Sequence, residues 1–207
     1  MKHILCFGDS NTYGLIPKSG GRYPWGIRWT SLLNNKLGLE EYHVIEEGLC
    51  GRTTIFDDPL RDNRNGLKLI SSALETNGPV DVIIVMLGTN DCKTVYGATA
   101  NVIGKGIARI IGQIRLYSKD SKILLISPIH LGENVWANEY DPEFSPDSVK
   151  VSKGLADVYK RVSEKENTFF LDAAVFAEPS SEDREHLNEE GHGLLAEAVY
   201  RKVREII

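Results

Sequence analysis

Three stretches of this chain carry side chains whose types and spacing can do chemistry. Ser10 lies in Gly8-Asp9-Ser10-Asn11-Thr12-Tyr13-Gly14, Asn90 in Gly88-Thr89-Asn90-Asp91, and Asp183 three positions before His186 in Asp183-Arg184-Glu185-His186. Glycines around a serine let the backbone turn tightly and leave the hydroxyl exposed, although Ser and Asp also serve as ordinary helix caps. An Asn amide can donate to developing negative charge without carrying a proton to lose, or can satisfy a turn. A carboxylate within a turn of an imidazole can bond Nδ1–H and leave Nε2 as a base; a surface loop capped at Asn188 accounts for the same residues. A fourth stretch, Glu46-Glu47-Gly48-Leu49-Cys50-Gly51-Arg52-Thr53-Thr54, has glycines that can hold a backbone N–H outward, as an oxyanion hole needs, or can simply turn the chain. Each signal is weak alone. Together they supply a nucleophile, a base, an orienting acid and three oxyanion donors, the set that acyl transfer requires.

These residues need a scaffold that brings them to one place. Short apolar runs at His3–Phe7, Tyr42–Ile45, Asp81–Leu87, Lys122–Ser127 and Thr168–Leu171 lack the alternation of a half-wet strand and read as strands buried on both faces. Helix-period segments separate them: Trp29–Leu37, Leu67–Glu75, Val102–Tyr117, Val149–Lys165 and about Glu189 to Ile207. Five strands each followed by a helix imply an α/β fold, a three-layer α/β/α sandwich with a five-stranded parallel sheet and right-handed crossovers. Such sheets place ligands beyond the carboxyl ends of their strands, which is where all four stretches fall. No repeat, low-complexity tract or linker divides the 207 residues, so residues 1–207 are expected to form a single domain.

Composition narrows the function classes. The chain is 42% hydrophobic and 26% charged, with 24 basic against 29 acidic residues and a net charge of −5. That excludes a disordered or fibrous chain and leaves no basic block to neutralise nucleic-acid phosphates. The longest apolar run, Val82 to Leu87, is far short of the ~20 residues a bilayer span needs. No secretory leader is expected at the N-terminus. Three cysteines, Cys6, Cys50 and Cys92, without C-x-x-C spacing, point to reduced thiols and a cytoplasmic setting.

Gly8-Asp9-Ser10, Gly51, Gly88-Thr89-Asn90-Asp91 and Asp183-x-x-His186 resemble, in order, the four blocks of the SGNH (GDSL-type) hydrolases. Arg28-Trp29-Thr30, Val44-Ile45-Glu46-Glu47-Gly48-Leu49, Arg52-Thr53-Thr54, Asp57-Asp58-Pro59, Asn65-Gly66 and Met86-Leu87-Gly88-Thr89-Asn90-Asp91 are similar to the bacterial arylesterase/acyltransferase subgroup. The resemblance implies a flavodoxin-like SGNH fold and a serine esterase acting on small short-acyl or aryl esters, able to pass the acyl group to other acceptors. It implies Ser10 as nucleophile, His186 as base and Asp183 as its orienting acid, with the oxyanion hole formed by Ser10, Gly51 and Asn90. It also implies a homo-oligomer. One departure stands beside the nucleophile: the family often has Leu where this chain has Asn11.

Candidate substrate-binding residues are Asn11, Trp25, Arg52 and Trp136. Trp25 belongs to the aromatic stretch after the nucleophile turn, and Trp136 to the long connection from His130 to Phe144, which can wall a pocket or pack a subunit interface. Arg52 and Arg28 can bind a substrate carboxylate or pair with Asp57, Asp58 or Glu47. His192 has no acid at the right spacing and reads as packing or capping; Cys50 and Cys92 read as small pocket or core residues, and His3 as a structural histidine. A carbohydrate O-acetylesterase and a non-catalytic carbohydrate-binding module are the alternative readings. A phosphatase starting from Asp9 lacks its second Asp, since Asn11 stands there, and would need Mg²⁺. No G-x-S-x-G pentapeptide, phosphate loop or metal-ligand cluster occurs, so no cofactor is expected.

Overall fold

The apolar runs pair as one parallel sheet. The computed structural model describes residues 1–207. Its strands are β1 (Lys2–Gly8), β2 (Tyr42–Gly48), β3 (Val82–Met86), β4 (Lys122–Ser127) and β5 (Phe169–Asp172), in the order β2-β1-β3-β4-β5. Every residue of β3 is buried, as the absence of alternation requires of a central strand covered on both faces. The helices are α1 (Ser10–Tyr13), α2 (Trp29–Leu37), α3 (Gly66–Asn77), α4 (Ala100–Tyr117), α5 (Pro146–Lys153), α6 (Leu155–Lys165) and α7 (Glu189–Ile206). None is long and apolar enough to cross a membrane.

The two-residue period of a strand divides the core. Ile4, Cys6, Ile84 and Leu124 face α2 and α7, meeting Trp29, Leu33, Leu195 and Val199. Leu5, Phe7, Val85 and Leu125 face α3, α4 and α6, meeting Ile70, Ile107, Ile110 and Tyr159. The result is the α/β/α sandwich that the sequence implies. The 149–165 segment departs from that reading. It is two helices broken at Gly154, because α5 has its own start, a capping box at Ser145 followed by Pro146.

This strand order sets the site. Chain direction across the sheet reverses between β1 and β3, and the crevice at such a switch point is where open parallel sheets bind ligands. Gly8 at the end of β1 lies in register with Gly48 of β2 and Met86 of β3, so the segments after these three strands open side by side.

Candidate active site

Ser10 is the first residue of α1, directly past β1. Asp9 caps this helix, its carboxylate accepting the Asn11 N–H at 3.0 Å. α1 lies hard against the end of β2: a Cβ on Gly48 would stand 2.2 Å from the Tyr13 nitrogen. Ser10 is 4% exposed.

His186 reaches this helix from the loop before α7. Its Nε2 is 2.8 Å from Ser10 Oγ and its Nδ1 is 2.8 Å from Asp183 Oδ2. The other Asp183 oxygen accepts the backbone N–H groups of Glu185 (3.0 Å) and His186 (2.9 Å), closing the turn that aims the imidazole. Burial opposes charge on His186, but the Glu185 carboxylate and the bond to Asp183 outweigh it and raise its pKa to about 9. Burial pushes Asp183 up, yet the hydrogen bonds and charge of His186 leave its carboxyl below the usual range. A hydroxyl, an imidazole and a carboxylate in one hydrogen-bonded line can move a proton off the hydroxyl and stabilise the imidazolium that forms.

Three groups are expected to serve as oxyanion donors. The backbone N–H groups of Ser10 and Gly51 make no hydrogen bond within the chain. Gly51 sits at φ 81°, a left-handed conformation that a side chain would strain. Asn90, at the start of a single 3-10 turn (Asn90–Cys92) after β3, donates one Nδ2 hydrogen to the Arg52 carbonyl at 3.2 Å, which fixes the amide and leaves a second hydrogen. The neighbouring Asp91 locks the same corner by accepting the Thr54 N–H at 3.0 Å.

The residues considered for substrate binding fare differently. Asn11 is buried with both ends of its amide engaged: Oδ1 accepts the Leu187 N–H at 2.9 Å and Nδ2 donates to the Glu185 carbonyl at 3.4 Å. It clamps the Ser10 helix to the His186 loop. Arg52 is buried too, with its guanidinium 4.0 Å over the Phe7 ring and donating to the carbonyls of Gly8 (2.9 Å) and Glu47. Burial lowers its pKa to about 10. It braces the ends of β1 and β2 through backbone carbonyls, and the expected ion pair with Asp57, Asp58 or Glu47 is not formed. Arg28 pairs with Glu46 instead, bidentate at 3.0 and 2.6 Å. Trp25 is 51% exposed, with Arg28 5.9 Å from its ring centroid. Trp136 is half-buried against the α3/α4/α6 side of the core, in a connection anchored by Leu131, Val135 and Phe144. That connection also touches the His186 loop, through the Gly132 N–H to the Arg184 carbonyl at 2.7 Å.

His192 is fully buried, its Nδ1 accepting the Trp29 N–H at 3.2 Å at the start of α2. Burial lowers its pKa to about 4, so it stays neutral as a helix cap. Burial raises the Cys50 thiol and pushes Cys92 well above its usual value, the reverse of what thiolate chemistry needs. His3 meets the Pro79 carbonyl at 3.2 Å, away from the crevice. No three His, Cys, Asp or Glu side chains are disposed to hold a metal ion.

Two carboxylates in the crevice take environments the sequence reading did not assign, Asp9 having been weighed only as a helix cap or a phosphatase residue and Glu185 not at all. Asp9 is buried with Oδ2 unpartnered, and burial raises its pKa to about 7. Glu185 has its Oε1 3.7 Å from His186 Nε2, and burial raises its pKa as well. The only signal for Glu185 was its place beside the imidazole inside Asp183-x-x-His186.

Residues 6–194 match the GDSL-like lipase/acylhydrolase family. The chain belongs to this family and is a carboxylic ester hydrolase. Among solved structures, it is similar to a carbohydrate acetylesterase from Sinorhizobium meliloti and to the aryl esterase of M. smegmatis, each at 32% identity and TM-score 0.92 over 100% of both chains. A putative arylesterase from Agrobacterium tumefaciens str. C58 follows at 33% identity and TM-score 0.88, again over 100% of both chains. Comparison with curated protein sequences gives no match.

Proposed function

We propose that this chain is a serine esterase of small short-acyl or aryl esters, working through an acyl-enzyme on Ser10. The observation that carries the reading is the line Ser10 Oγ, His186 Nε2, His186 Nδ1, Asp183 Oδ2, with 2.8 Å at each hydrogen bond. Ser10 Oγ attacks the ester carbonyl carbon while its proton passes to His186 Nε2. The carbonyl oxygen takes up negative charge between the N–H groups of Ser10 and Gly51 and the Asn90 amide. His186 then returns the proton to the departing alcohol as the carbon–oxygen bond breaks. Water, deprotonated by His186, attacks the acyl-enzyme and releases the acid and Ser10.

An alcohol in place of that water receives the acyl group, so acyl transfer belongs to the same reading. The names of the similar structures, aryl esterase and carbohydrate acetylesterase, support small esters as the substrate class. Three free thiols support a cytoplasmic setting, and self-association follows from the sequence resemblance. The test is hydrolysis of p-nitrophenyl esters from acetyl to octanoyl in EDTA, wild type beside Ser10→Ala. Activity that needs Ser10 and falls with acyl length supports the reading; equal activity in Ser10→Ala refutes it.

A further inference from the structure

Glu185 is a largely buried carboxylate whose side chain accepts no hydrogen bond from the chain. Its side chain is 8% exposed, and Oε1 lies 3.7 Å from His186 Nε2. Its hydrogen bonds are all made by its backbone, the N–H to Asp183 Oδ1 at 3.0 Å and the carbonyl from Asn11 Nδ2 at 3.4 Å. The charged groups nearest in influence are His186, Lys93, Asp141 and Asp183. Lys93 is already taken, bonded to Glu143 and 3.6 Å from Asp141.

No hydrogen bond within the chain occupies this carboxylate, and its one close charged neighbour is His186 Nε2, so its position is informative. His186 Nε2 must come within hydrogen-bond distance of the leaving alcohol in acylation, and of water or an acceptor alcohol in deacylation. A carboxylate oxygen 3.7 Å from Nε2 therefore flanks the place where that alcohol sits. An aryl or plain alkyl alcohol offers this carboxylate no donor. An alcohol with a second hydroxyl next to the ester oxygen supplies the missing donor. Sites built to hold a substrate hydroxyl discriminate strongly against analogues without one, because the buried group is then stranded.

We infer that Glu185 is a specificity residue on the alcohol side of the site, accepting a hydrogen bond from a hydroxyl adjacent to the ester oxygen and so favouring esters of polyols, sugars included. This rests on the serine-esterase reading of the same site.

The direct test compares 2-hydroxyethyl acetate with propyl acetate, which share the acyl group and differ by one hydroxyl. Wild-type kcat/KM favours the hydroxyethyl ester about tenfold or more, as expected of a hydrogen bond to a charged group. The ratio collapses toward one in Glu185→Leu and is intermediate in Glu185→Gln, whose amide oxygen still accepts. A wild-type ratio near one, or a ratio within twofold of wild type in both variants, overturns the inference. p-Nitrophenyl acetate separates the two levels: a wild type that hydrolyses it without preferring the hydroxyethyl ester sinks only the role of Glu185, whereas a wild type inert on all three esters sinks the esterase reading beneath it.

Discussion

The Leu187 N–H donates to Asn11 Oδ1 at 2.9 Å, tying the helix that carries Ser10 to the loop that carries His186. The 2.8 Å contact between Ser10 and His186 spans 176 residues of sequence, and this clamp is a direct cross-link between its two sides. Asn11→Ala leaves the buried Leu187 N–H without an acceptor, a loss of ~1–3 kcal/mol. Urea unfolding should shift by that amount, and kcat for p-nitrophenyl acetate should fall at least about tenfold as the imidazole loses its alignment.

Asn90 is held by the Arg52 carbonyl at 3.2 Å, so its free hydrogen is aimed before substrate arrives. A donor preorganised for the oxyanion acts in the transition state more than in the ground state. Asn90→Ala should lower kcat by about 10²–10³-fold with KM little changed. Steady-state kinetics on one p-nitrophenyl ester decides it; a rise in KM alone removes Asn90 from the oxyanion hole.

His186 must be neutral to take the Ser10 proton, and its pKa is raised to about 9 by Glu185 and Asp183 against the opposing effect of burial. kcat/KM should therefore climb as pH rises and level off above about 9. Glu185→Gln removes the largest of the raising influences and should move the inflection to lower pH. Stability runs the other way: with the folded pKa above the unfolded one, the charged pair supports the fold below about 6.5 and that support is lost as pH passes about 9.

Asp9 has its pKa raised to about 7 by burial, partly offset by the Asn11 N–H and by His186. A carboxyl raised in the folded state stabilises the fold at acid pH and loses that contribution as pH rises through the folded value. Asp9→Asn keeps an acceptor for the Asn11 N–H and removes the ionisation. Its Tm should match wild type near pH 5 and exceed it near pH 8 by roughly 3 °C or more. Scanning calorimetry at the two pH values gives the comparison.

The sheet was legible because β3 and β4 are unbroken apolar runs that nothing but a doubly covered strand accommodates. Ser10, Gly51, Asn90, Asp183 and His186 stood out as candidates because each follows a strand or precedes the last helix, the places where this architecture opens. What the chain hid were matters of partnership. Asn11 and Arg52 are polar residues beside the crevice, and only the folded structure reveals that each is bonded to backbone groups of neighbouring segments. Glu185 is the converse, a charge that looks like loop surface in sequence and is buried by the turn that Asp183 closes. The break at Gly154 was masked by an apolar stripe running on from Val151 to Val162, although Ser145-Pro146 marks the start of the first helix.

The most direct measurement of the central claim is intact mass and peptide mapping after treatment with a fluorophosphonate, which phosphonylates an activated serine. One adduct per chain, located on Ser10, absent from Ser10→Ala and strongly slowed in His186→Ala, is the predicted result. An adduct on another residue, or undiminished labelling of Ser10→Ala, would contradict the assignment of Ser10 as the nucleophile.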